Sequence, residues 1–144
     1  MINQKFLKQR ISKAEEYIEF LENVKKDYRL EEFQSNKMVY GSSERFLHLT
    51  IEVLIDIGNY IIAGHNLGRV ESYSDIPKLL AENNFLDNEL KKLFAEIIGF
   101  RNTLVRNYSN IDLEIVYSII SNNLVDLKEI LKVFVQVKKD EVKL

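Results

Sequence analysis

Apolar residues recur at Ile2, Phe6, Ile11, Ala14, Ile18, Leu21 and Tyr28, largely at spacings of three, four and seven. That rhythm places them on one stripe of a single long helix over 2–28. Lys8, Lys13, Glu16, Glu19, Glu22, Lys25 and Lys26 fall on its other face, a solvated mixed-charge surface. Residues 31–43 are weaker, and Gly41-Ser42-Ser43 reads as a break with a serine N-cap. An alternative start for the second helix lies near Asn36. The segment 44–63 is apolar almost all round: Phe46, Leu47, Leu49, Ile51, Val53, Leu54, Ile55, Ile57, Tyr60, Ile61 and Ile62. Such a helix is central in a bundle or pressed into a subunit interface. Its apolar surface exceeds what one protomer readily covers, so a symmetric homodimer is expected.

Gly64, Gly68 and the polar residues between them end the second helix. Ser74-Asp75-Ile76-Pro77 then opens a short helix to about Asn83, with Ser74 as N-cap and the proline in the first turn. A fourth helix runs from about Asp87 to Asn107, with Leu90, Leu93, Phe94, Ile97, Ile98, Leu104 and Val105 facing the core. Asp112 caps the last helix, whose inside residues are Ile115, Val116, Ile119, Ile120, Leu124, Leu127, Ile130 and Leu131. The expected fold is all-α: one domain over 1–144, an up-and-down bundle of about five helices, four long and one short.

Composition narrows the chemistry. At 144 residues the chain can bury roughly 70% of its extended surface, enough for a core without staples. Zero cysteines remove disulfide scaffolds, thiolate metal sites and cysteine nucleophiles. Twenty Lys+Arg against 22 Asp+Glu leave a net charge of −2, which excludes nucleic-acid binding by bulk charge but not by a local patch. No uninterrupted apolar run reaches spanning length, because Glu52, Asp56 and Asn59 break the best candidate. The N-terminus turns amphipathic at once, without a signal-peptide core. The expectation is a soluble cytoplasmic protein away from membranes.

Two polar clusters interrupt the apolar pattern. Arg45, His48, Glu52, Asp56 and Asn59 project within roughly an 80° arc of the second helix. That stripe is either the water-facing side or the wall of a groove. The second cluster is FRNTLVRNY, residues 100–108, at the end of the fourth helix. Arg101 and Tyr108 share one face, and Asn102 and Arg106 share its neighbour. Two guanidinium forks, an amide and a phenol suit an anionic ligand such as phosphate. The competing account is that arginines near a helix C-terminus complement the dipole and cap carbonyls. Glu52 and Asp56 at i,i+4 are too few acids for a metal site, and no Gly-rich phosphate loop or HExxH pattern occurs. No cofactor and no metal are expected.

Arg101-Asn102-Thr103-Leu104-Val105-Arg106-Asn107-Tyr108 resembles the R-N-x-L-V-H-x-Y signature of the HepT-like proteins, within the HEPN superfamily. Residues 44–62, 72–90 and 111–127 are similar, in order, to the family's second helix, third segment and last helix. The resemblance implies a dimeric helical toxin that cleaves RNA without metal, paired with a minimal nucleotidyltransferase antitoxin. It makes Arg101 the phosphate-steadying arginine and Tyr108 the acceptor of AMP from the antitoxin. Asn102, Asp56 and Asn59 become polar groups of the same cleft. The chain departs from the signature at Arg106, which stands where the family has its acid–base histidine. A guanidinium keeps its proton and cannot act as a base, though it can bind phosphate. His48 and His65 both lie outside the motif; His48 shares the stripe of the second helix, which offers it a way into the site, but its separation of about three turns from Asn59 argues against that. The expected function is thus a toxin-type ribonuclease weakened or silenced at Arg106. The alternative is a non-catalytic RNA- or nucleotide-binding partner of the nucleotidyltransferase. A third possibility is a dimeric structural protein without ligand. Arg101 itself has a competing structural reading, pairing with Asp56 or Glu52 across two packed helices.

Overall fold

The N-terminal helix forms because Asn3 caps it and the apolar stripe carries it onward. The Asn3 side-chain oxygen accepts hydrogen bonds from the Lys5 and Phe6 amides at 3.0 and 3.2 Å, which satisfies donors that a helix start leaves orphaned. This is α1, Gln4–Asp27, in a computed structural model that describes residues 3–106 and 112–143, and the side chains of 3–104 and 112–140. Its buried face is Leu7, Ile11, Ala14, Ile18, Leu21 and Val24. Phe6 and Tyr28 are half-buried at its margin, so the stripe is rotated slightly from the one read in the sequence.

A short α2, Leu30–Ser35, follows, its start closed by the Arg29 amide donating to Glu32 Oε1 at 3.1 Å. The long central helix α3 is Lys37–Gly64, so the start near Asn36 is the one adopted. Asn36 caps it by accepting from the Val39 amide at 3.2 Å. The break expected at Gly41-Ser42-Ser43 does not occur. Ser43 is buried and its hydroxyl donates to the Val39 carbonyl at 2.6 Å. A serine satisfied one turn back inside the helix does not compete with it.

α3 is long and apolar enough to cross a membrane. Here Leu47, Ile51, Val53, Leu54, Ile55, Ile57, Ile61 and Ile62 are buried inside one protomer. The covering comes from α1 and from the helices α4 (Asp75–Glu82), α5 (Asn88–Arg106), α6 (Leu113–Asn122) and α7 (Leu124–Lys143). The apolar surface of this helix therefore does not require a second copy. Phe6 stacks on Tyr60 and Phe20 packs on Phe46, each at 4.4 Å between ring centres. Those pairs run α1 and α3 in opposite directions.

One expected boundary keeps its place with a different tie, and one is corrected. Ser74 is the N-cap residue of α4, but its side chain makes no capping hydrogen bond. The neighbouring Asp75 carboxylate instead accepts from the Glu71 and Ser72 amides at 3.0 and 3.1 Å, which fixes the loop before the helix. The single last helix is two, α6 and α7, because Asn123 ends one and begins the next. Its amide donates to Ile119 and its carbonyl accepts from Asp126 and Leu127. The apolar rhythm passes through that break unchanged, so periodicity alone did not show it. Asp112 caps α6 as expected, accepting from the Glu114 amide at 2.9 Å. The architecture remains an all-α bundle, with seven helices among the described residues instead of five.

Gly58 sets how closely α3 approaches α4. A Cβ there would stand 2.6 Å from Ile76 Cγ2, with Leu80 Cδ1 and Phe134 Cζ at 3.5 and 3.7 Å. Ile76 is fully buried and β-branched, so its methyl has no free rotamer to retreat into. Gly58→Ala is expected to cost about 1–3 kcal/mol through overpacking, partly offset by roughly 1 kcal/mol of helix propensity. Thermal unfolding checks this: the expected change is a lower Tm, and a rise would show that α4 swings away freely.

Candidate functional site

α5 begins where Asp87 Oδ1 accepts from the Leu90 amide at 2.8 Å. It is anchored by buried Phe94, Ile97, Ile98 and Leu104. That packing turns Arg101 toward α3. Arg101 Nη2 donates to Glu52 Oε1 at 2.9 Å and Nη1 donates to Asn102 Oδ1 at 3.3 Å. The face of its guanidinium lies over the Tyr73 ring, 5.1 Å from the ring centre, a cation–π arrangement. Its side chain is 15% exposed, and Nε is buried with no acceptor among the described residues. Arg101 is thus a positioned group, held by one carboxylate, one amide and one aromatic face.

Glu52 has a second neighbour. His48, one turn earlier on α3, places Nε2 3.2 Å from the same Oε1 that Arg101 contacts, at ion-pair distance rather than in an aligned hydrogen bond. Burial alone would raise the Glu52 pKa. The Arg101 hydrogen bond and the charges of His48 and Arg101 outweigh it and hold the carboxyl below its ordinary range. The result is a row of base, acid and guanidinium across the α3–α5 crossing. His48 therefore stands against the Glu52–Arg101 pair without being among the residues that line the neighbouring cleft. Distance along one helix did not show that the long Arg101 side chain would come to that turn.

Beside Arg101 opens a cleft of about 590 Å³ between α3, α5 and the 70–74 loop. Asn59, Asn102 and Tyr73 line it, which brings two of the expected polar residues to one opening. Asp56 is not among its lining residues. Desolvation raises the Asp56 pKa even though the residue as a whole is exposed; Arg10 of α1 opposes that rise and Glu52 adds to it. The side chain of Arg106 and the whole of Tyr108 lie outside the described residues. Among the described residues no group of three or more His, Asp or Glu stands close enough to hold a metal ion.

Tyr73 was missed by sequence reasoning. It is 45% exposed, and its only sequence signal is an aromatic in a polar loop with no periodic partner. The pairing of Arg101 with Glu52 realises the cross-helix contact weighed as the structural account of Arg101. Of the polar stripe on α3, Asn59 is the member that lines the cleft. Chemically, the cleft offers two amides and an aromatic face, and Arg101 stands behind them with N–H donors beyond those given to Glu52 and Asn102.

A family described as ribonuclease HepT-like matches residues 14–134. The mRNA nuclease HepT of Shewanella oneidensis is 29% identical over 110 residues, spanning 67% of this chain and 83% of that protein. Among solved structures, a toxin–antitoxin with AMP-PNP superposes with a TM-score of 0.81 at 26% identity, covering 90% of this chain and 96% of that one. A tri-AMPylated Shewanella oneidensis HEPN toxin in complex with MNT antitoxin gives 0.80 at 26% identity, covering 89% and 95%.

Proposed function

Because this chain belongs to the ribonuclease HepT-like family, we propose that it is a toxin-type ribonuclease that cleaves RNA without metal. In this reading a minimal nucleotidyltransferase antitoxin restrains it, and the pair acts in the cytoplasm. The observation that supports the reading most is the family match over 14–134, joined to relatives described as an mRNA nuclease and as a toxin bound to MNT antitoxin. Arg101 steadies the phosphate, with Asn102 and Asn59 on the cleft wall and Asp56 on the same stripe of α3. Tyr108 accepts AMP. Homodimer formation enters through the family resemblance, since α3 is already covered within one protomer.

Arg106 weakens the reaction, because a group that stays protonated offers no base where the family has a histidine. The same substitution favours a second reading, a non-catalytic RNA- or nucleotide-binding partner of the nucleotidyltransferase. Absence of cleavage with retained binding would select it.

Arg101→Ala tests the site in both readings. RNA and AMP are titrated against wild type and variant, and the Tm of each is measured. A lost charge-assisted phosphate contact is worth about 1.5–3 kcal/mol, roughly a ten- to hundredfold fall in affinity. Glu52 has a side chain 38% exposed, so water screens what it loses, and the stability cost should be near 1 kcal/mol or less. Equal affinity with a large drop in Tm would make Arg101 structural and remove the site.

A further inference from the structure

We propose that His48 is the acid–base residue of this protein, supplying from α3 the proton transfer that position 106 cannot. The inference rests on the ribonuclease reading above. The imidazole stands one side chain away from the candidate phosphate-binding arginine, joined to it through Glu52: Nε2 to Oε1 at 3.2 Å and Oε1 to Arg101 Nη2 at 2.9 Å. A histidine with a carboxylate at one ring nitrogen, beside an anion-binding group, is an arrangement from which general acid–base catalysis can proceed. Glu52 stands at Nε2, so Nδ1 is the ring nitrogen turned away from that carboxylate. The side chain is 22% exposed, enough contact with solvent for a substrate to reach it.

Ala95, Ile98, Gly99 and Asn102 of α5 share the cleft with Asn59, while Arg101 of the same helix reaches Glu52, one turn from His48. Glu52 of α3 faces the imidazole and Arg101 of α5 meets the same carboxylate oxygen; Arg10 of α1 acts one turn further on, at Asp56.

In the step assigned to it, His48 Nδ1 takes the proton of an RNA 2′-hydroxyl. The 2′-oxygen attacks the adjoining phosphorus and the P–O5′ bond breaks, leaving a 2′,3′-cyclic phosphate. The departing 5′-oxygen takes a proton from water, and the imidazolium returns its proton to the hydroxide so formed. Arg101 bears on the phosphoryl charge that builds during the attack.

The test uses the full chain and a single-stranded RNA oligonucleotide in buffer containing EDTA, comparing wild type with His48→Gln. Expected are a fall in the cleavage rate of about 10²-fold or more, RNA affinity and Tm near those of wild type, and loss of the acid limb of the pH–rate profile. The double variant His48→Gln with Arg106→His is expected to regain cleavage, because a base is supplied again. His48→Gln cleaving as fast as wild type overturns the assignment while leaving the ribonuclease reading intact. A slowed variant that keeps the wild-type acid limb, or loses Tm in step with rate, also overturns it, since His48 then only packs against Glu52. Failure of the wild type itself to cleave RNA overturns the ribonuclease reading and this assignment together.

Discussion

Arg106→His is expected to raise RNA cleavage by about 10²-fold, near the lower end of what general acid–base catalysis contributes. The larger part of that range is not expected, because His48 beside Glu52 already offers a base at the same crossing. The gain should appear in kcat more than in KM. Both side chains can be cationic and hold a phosphate, but only the imidazole also moves a proton near neutral pH. Initial rates on one RNA oligonucleotide, with EDTA present in all samples, measure it. Arg106→Ala serves as the control. If wild type cleaves vigorously and Arg106→Ala is unchanged, position 106 lies outside the chemistry and the weakening argument falls.

Tyr108→Phe is expected to abolish AMP transfer to this chain while leaving folding nearly intact. Transfer requires an oxygen nucleophile: the phenol oxygen attacks the α-phosphorus of ATP, the bond to the bridging oxygen breaks, pyrophosphate leaves and the phenol proton passes to solvent. Phenylalanine keeps the ring and removes that oxygen, so the effect is complete instead of graded. The reading is supported by the tri-AMPylated HEPN toxin among the structural relatives. Intact-mass spectrometry after incubation with the cognate nucleotidyltransferase, ATP and Mg²⁺ reads the result directly. An unmodified variant with a Tm close to wild type is the expected outcome, and a variant modified like wild type would place the acceptor elsewhere.

Most of the helices were legible in the sequence because their causes are local. The 3.6-residue rhythm, the Asn36 and Asp112 caps and the proline in the first turn of α4 act within one or two turns of chain. The octapeptide at 101–108 likewise marked α5 as the helix that carries the family's signature. The split at Asn123 escaped because the core stripe continues across it from Ile119 and Ile120 to Leu124 and Leu127. Ser43 escaped for the opposite reason: a residue with the signature of a cap was absorbed into the helix by its bond to Val39. Ile115, expected inside, is 49% exposed, since the short α6 turns only Val116 and Ile120 fully inward.

What tertiary structure alone decided is which polar groups meet. Within α3, His48, Glu52, Asp56 and Asn59 look equivalent, one stripe on one face. The crossing with α5 divides them: Glu52 receives Arg101, Asn59 joins the cleft, and His48 and Asp56 are not among its lining residues. Periodicity specifies the side of a helix but not the height at which a neighbour crosses it. At the α3–α5 crossing that height brings Glu52 within reach of a single arginine side chain, while Gly58 against Ile76 fixes the approach of α4 and Phe94 against Phe134 the packing of α5 on α7.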